Sequence, residues 1–116
     1  MKTFRIVLSD EAREVFEHLN KEAVHSKTDR MILNGIKQKI ELIRQNSHYG
    51  DPIAKNLIPK EYFERYEISN LFRVELPSFW RMLYTLQGES KIEIVAFVLD
   101  IVDHKDYNKL FGYRKR

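Results

Sequence analysis

The sequence predicts an α+β domain: an N-terminal strand, an antiparallel helical hairpin, three antiparallel strands and a short C-terminal helix, with the helices on one mostly antiparallel sheet. Three observations predict it. Apolar residues alternate with polar ones over residues 3–8. They then recur at helical spacing through two capped stretches ending near Asn46. After Tyr66 the helical period stops, and three apolar runs follow in succession, ISNLFRVEL, FWRMLYTL and KIEIVAFVLDIV.

In the first segment Phe4, Ile6 and Leu8 share one face and Thr3, Arg5 and Val7 the other, the pattern of a half-buried strand. Ser9 follows as an N-cap, with Asp10 and Glu11 where carboxylates suit the positive end of a helix. Ala12, Val15, Phe16, Leu19 and Ala23 keep helical spacing, which places a first helix over about residues 10–25. Ser26 or Thr28 can cap a second. Its stripe is Ile32, Ile36, Ile40 and Ile43, supported by Met31 and Leu33, and it should stop near Asn46, where Ser47, Gly50, Asp51 and Pro52 crowd into a turn. The charged outer faces, Lys21, Lys37, Lys39 and Arg44 mixed with Glu14, Glu17, Glu22 and Glu41, read as solvated surface. Residues 50–65 read as an irregular link in which Pro59 starts a short helical turn through Phe63.

In the next strand Arg73 and Glu75 share a face against Phe72, Val74 and Leu76. After Pro77 and Ser78, Phe79, Arg81, Leu83 and Thr85 alternate with Trp80, Met82, Tyr84 and Leu86. Gly88 marks the following hairpin, and the long apolar run after it suits a central strand covered on both faces. Asp103 then caps a short helix carrying His104, Lys105 and Tyr107.

At 116 residues the chain predicts one domain over 1–116. The net charge of +3 permits an anionic partner without requiring one. The absence of cysteine excludes disulfides, thiolate catalysis and cysteine-based zinc sites, and it fits a cytoplasmic protein. No apolar run is long enough for a membrane span, and the opening strand pattern is unlike a signal peptide. His18, His25, His48 and His104 lack metal-ligand spacing, and phosphate-loop, dinucleotide and nucleophile-elbow motifs are missing. Two arginines on neighbouring strands are the first chemically suggestive pair, because the guanidinium is a rigid fork that matches phosphate. An ion pair of Arg73 with Glu75 or another acid is the plainer reading. His104 can exchange protons near neutral pH, Lys105 can meet a phosphate, and Tyr107 can hydrogen-bond or stack on a base. The plainer reading there is a capped helix packing Tyr107, Leu110 and Phe111 on the sheet. Phe72, Trp80 and Tyr84 fall at core positions.

The order of these elements, with GDPIAKNLIP, NLFRVELPSFWRMLYTL and IVDHKDYNKLFGY, resembles the RelE/ParE superfamily of type II toxin–antitoxin toxins along nearly the whole chain. Such toxins carry a basic residue where Arg73 stands, an Arg-x-x-Tyr matched by Arg81 to Tyr84, and a His-basic pair after the last strand matched by His104-Lys105. The resemblance implies a ribosome-dependent endoribonuclease that cleaves mRNA by 2′-hydroxyl attack without metal or small-molecule cofactor, held in check by a cognate antitoxin protein in the cytoplasm. It implies Arg81 as the principal phosphate stabiliser, Arg73 as a second cation and His104 as general acid or base. Glu75 is the alternative base, Lys105 and Tyr107 are auxiliary contacts, and Lys60 is an extra phosphate contact. The departures are Glu75 where relatives have a second basic residue, Ile53 and Ala54 after the Gly-x-Pro turn where some have a carboxylate, and Tyr107 competing with Tyr113 for the terminal tyrosine. ParE-like members instead poison DNA gyrase, so a gyrase-directed toxin or an inactive interaction domain is the alternative.

Overall fold

A computed structural model describes residues 3–90 and 93–112. The predicted α+β class holds, with a five-stranded mixed sheet and helices on both of its faces. Strand β1 (Thr3–Leu8) runs straight into helix α1 (Asp10–Glu22) through Ser9. The Ser9 hydroxyl accepts from the Ala12 amide at 3.0 Å and donates to the Leu99 carbonyl at 2.6 Å. One buried side chain therefore caps a helix and pins it to a strand far along the chain. Helix α2 (Lys27–Gln45) is capped by Ser26, which accepts from the Asp29 amide at 3.1 Å; Thr28 lies inside the helix. Ile32, Leu33, Ile36 and Ile43 are buried as the stripe requires, but Met31 turns outward and is 48% exposed.

The link after α2 is more ordered than its composition suggests. Asp51–Pro52 form a two-residue strand β2, Lys55–Leu57 a 3-10 turn, and Lys60–Tyr66 helix α3, longer than the predicted turn. Strand β3 (Phe72–Leu76) follows. Pro77–Phe79 form a 3-10 turn, and strand β4 spans Trp80–Ser90. Gly88 lies within β4 rather than at the hairpin, beside a shift in register between Gln87 and Ser90. Lys91 and Ile92, between β4 and β5, lie outside the described residues. Strand β5 (Glu93–Val102) and helix α4 (His104–Leu110) complete the order, with the Asp103 carboxylate accepting from the Asp106 amide at 2.8 Å.

The sheet order is β1-β5-β4-β3-β2. β5 is an interior strand next to the middle strand β4, with β1 parallel on one side and β4 antiparallel on the other. Alternation sorts side chains between two cores. Phe72, Val74, Leu76, Met82 and Tyr84 face the α1–α2 hairpin with Ala96, Val98 and Ile101. Leu71, Leu83 and Leu99 face the other way, where Tyr62 of α3 and Tyr107 of α4 cover them. Helix α3, longer than the turn the sequence suggests, supplies part of this second cover. Its signal was weak because seven residues bury one main anchor, Tyr62, and show little periodicity. Near the β3–β4 turn, α2 approaches so closely that a Cβ on Gly35 would stand 2.4 Å from the Pro77 ring.

Candidate functional site

The α4 side of β3 and β4 carries the charged residues. In the observed register Arg73 opposes Leu83, and Glu75 opposes Arg81. Directly opposed residues share a face, so Arg73, Glu75 and Arg81 line one surface, as their parity predicts. Tyr107 is the hub beneath it. The Arg73 guanidinium donates to the Tyr107 hydroxyl at 3.2 Å, and the Arg81 guanidinium lies 5.2 Å from the centre of the same ring. Tyr107 is 3% exposed and stacks on Phe111 with ring centres 4.5 Å apart. It is therefore a platform for the two arginines and not an open surface for a base. Its rival Tyr113 lies outside the described residues.

Arg73 also meets Asp51, at 3.6 Å. The acid anticipated for Arg73 is thus supplied by β2, not by its strand neighbour Glu75. The hydrogen bonds that Arg73 donates, first to Tyr107 and then to Asp51, outweigh partial burial and raise the Arg73 pKa above its already high value, so the group stays charged. Asp51 is held in place through Tyr84, a fully buried residue of the opposite core. The Gly50 amide donates to the Tyr84 hydroxyl at 2.9 Å, and that hydroxyl donates to the Ser47 carbonyl at 2.9 Å. A Cβ on Gly50 would sit 2.9 Å from the Tyr84 ring and 3.1 Å from the Arg73 carbonyl, so glycine is required for this close approach.

Arg81 donates to the Phe79 carbonyl at 2.6 Å. Ser78 and Phe79 both have left-handed backbone, with φ of 59° and 62°. For L-residues that conformation costs about 1–2 kcal/mol each, and for a bulky aromatic it is a true outlier. The turn projects Phe79 outward, 73% exposed, with its ring 6.2 Å from that of His104. His104 thus reaches the rim of the site through Phe79. The Nε atoms of Arg73 and Arg81 are buried without a hydrogen-bond partner. An unmatched donor on a charged group is costly, and an anion that draws either guanidinium toward itself would relieve it.

Two clefts flank the pair. One, of about 310 Å³, is lined by Lys39, Tyr49, Gly50, Asp51, Arg73 and Glu75. The other, of about 360 Å³, is lined by Glu75, Leu76, Ser78, Phe79 and Arg81. Glu75 is exposed between them and makes no ion pair among the described residues. Lys105 is exposed on α4. Lys60 is not drawn in; it pairs with Glu64 at 3.8 Å on the outside of α3. The sequence reading missed Asp51 and Phe79 and set Lys39 aside as solvated surface. The strand alternation itself placed Phe79 inside β4, because nothing in Pro-Ser-Phe marks two successive left-handed residues.

A second polar group lies on β5. Tyr62 donates to Asp100 at 2.6 Å, close to Arg65, which pairs with Glu11. Burial raises the Asp100 pKa, and the hydrogen bond from Tyr62 only partly opposes this. A carboxyl whose folded pKa lies above its unfolded value stabilises the fold below the ordinary carboxylate range, and that stability is lost as pH rises through the folded value. Asp100→Asn keeps an acceptor for Tyr62 and removes the titration. Its melting temperature relative to the parent should therefore rise as pH goes from about 4 to about 7. A difference that stays flat or falls would remove Asp100 as a buried titrating group.

No family model, curated protein or solved structure matches the chain. Among the described residues, no helix is long and apolar enough to cross a membrane, and no group of three or more His, Asp or Glu side chains is gathered as metal ligands would be.

Proposed function

We propose that this chain is a RelE-like toxin of a type II toxin–antitoxin system, a cytoplasmic endoribonuclease that cuts mRNA on the ribosome and is neutralised by a cognate antitoxin protein. The observation that carries the reading is the convergence of Arg73 and Arg81, from adjacent strands, on the single ring of Tyr107, with Glu75 and His104 at the edges. The order strand, helical hairpin, three antiparallel strands and short helix supports the RelE-like arrangement.

The chemistry follows from those groups. A base takes the proton of a ribose 2′-hydroxyl, whose oxygen forms a bond to the adjacent phosphorus. The bond from phosphorus to the 5′-oxygen breaks, and an acid protonates the leaving oxygen. Glu75, exposed and directly across from Arg81, suits the base, and His104 suits the acid. Arg81 and Arg73 balance the charge that builds on the phosphorane. Lys105, exposed beside His104 at the start of α4, is offered as a contact to a flanking phosphate, and Lys60, in an exposed pair with Glu64 on α3, as an extra one.

Two acids beside the arginines, Asp51 on Arg73 and Glu75 opposite Arg81, favour a second reading: a ParE-like toxin of DNA gyrase, or an inactive relative that binds protein alone. Adding the purified chain to a translating extract separates the two. Cuts inside translated frames that leave 5′-hydroxyl ends are expected. Intact message together with blocked gyrase supercoiling would replace the nuclease reading by the ParE-like one.

A further inference from the structure

We infer that Phe79 is a nucleobase-stacking residue that seats one unpaired base of the RNA beside Arg81. The inference rests on the nuclease reading for the identity of the ligand, but its observations are separate. Phe79 is 73% exposed and held in a left-handed backbone at φ 62°, next to a left-handed Ser78. A bulky side chain does not take that conformation by default; here it is fixed from two sides. The Arg81 guanidinium grips the Phe79 carbonyl, and Pro77, which starts the turn, lies against Gly35 of α2. The same turn opens the cleft of about 360 Å³ shared by Phe79 and Arg81, a volume at the small end of ligand pockets.

The surroundings favour nucleic acid over a protein partner. Protein-docking surfaces have contiguous apolar centres. Phe79 stands singly, with Arg81, Glu75 and His104 around it, and the other exposed large apolar side chains among the described residues, Val24, Met31, Tyr49, Leu57 and Phe63, belong to other segments. An aromatic ring set beside a cation is the pattern by which single strands are held, the ring taking the base and the cation its phosphate. Tyr107 is unsuited to this role because Arg81 and Phe111 lie on its ring.

The test uses a short 2′-O-methyl oligoadenylate, which lacks the attacking hydroxyl and cannot be cut, with binding read by fluorescence anisotropy at low salt. Phe79→Gly is the informative variant, since glycine accepts the left-handed backbone and the fold should hold, as a circular dichroism melt would verify. Binding should weaken about 5- to 100-fold, the range of one lost stacked base. Phe79→Trp should stay within about threefold of the parent, because any flat aromatic ring can stack. Binding by folded Phe79→Gly within about twofold of the parent would overturn the inference. So would Phe79→Leu matching the parent, which would show that no flat ring is needed, or a parent that fails to bind the oligonucleotide. Stacking without cleavage on ribosomes would reject the nuclease while keeping this assignment. Cleavage that is indifferent to Phe79 would do the reverse.

Discussion

Replacing Arg81 by alanine should lower cleavage of ribosome-bound message by about two to three orders of magnitude, the usual cost of removing one main stabiliser of transition-state charge. The variant should remain folded. What Arg81 contributes to stability is a cation–π contact with Tyr107 and one hydrogen bond to the Phe79 carbonyl, together about 1–2 kcal/mol. Arg81→Lys should recover part of the activity, because a point charge remains but the fork that matches two phosphate oxygens is gone. Primer extension on a translated message, beside a thermal melt of each variant, separates the chemical effect from the structural one. Full cleavage by a folded Arg81→Ala protein would dismiss Arg81 from the mechanism.

Tyr84→Phe should be the most damaging single-atom change. The hydroxyl is the only part removed, yet it accepts from Gly50 and donates to Ser47 in a buried setting. Phenylalanine leaves both backbone groups without their partner. Losing the bonds and stranding the Gly50 amide costs about 2–4 kcal/mol, or roughly 10 °C in melting temperature for a domain of this size. The Ser47–Asp51 turn should loosen with it, and Asp51 should leave Arg73. A calorimetric loss below about 0.5 kcal/mol would show that the turn is held by other contacts.

These residues also show how far the sequence could be read. Ser9, Ser26 and Asp103 were legible as caps because a cap is a local matter: one side-chain oxygen within three residues of an unpaired amide. The faces of β3 and β4 were legible because parity is local too, which is why Arg73, Glu75 and Arg81 could be put together. What alternation cannot supply is the partner from elsewhere. Asp51 reaches Arg73 only because a two-residue strand pairs with β3, and two residues carry no period. Tyr84 shows only its place in the core, and nothing local says that its hydroxyl holds a turn on another element. Phe79 was misplaced because backbone handedness overrode the alternation that would have kept it in the strand. Lys60 pairs with Glu64 because α3 extends to Tyr66 and sets the two one turn apart.

The parallel seam between β1 and β5 sets an order of events during synthesis. Ser9 finds its carbonyl 90 residues downstream, at Leu99. Ribosomes add about 5–20 residues per second, so the first strand and the helical hairpin wait several seconds for the strand that covers them. Until then the apolar stripe of α2 has α1, β1, β3 and β4 to rest on but not β5, and the arginines have no Tyr107 beneath them. A nascent chain that stops before residue 107 holds both cations without the ring that gathers them. Whatever this protein does with Arg73 and Arg81, it acquires that ability only once residue 107 has been made and α4 has folded onto the sheet.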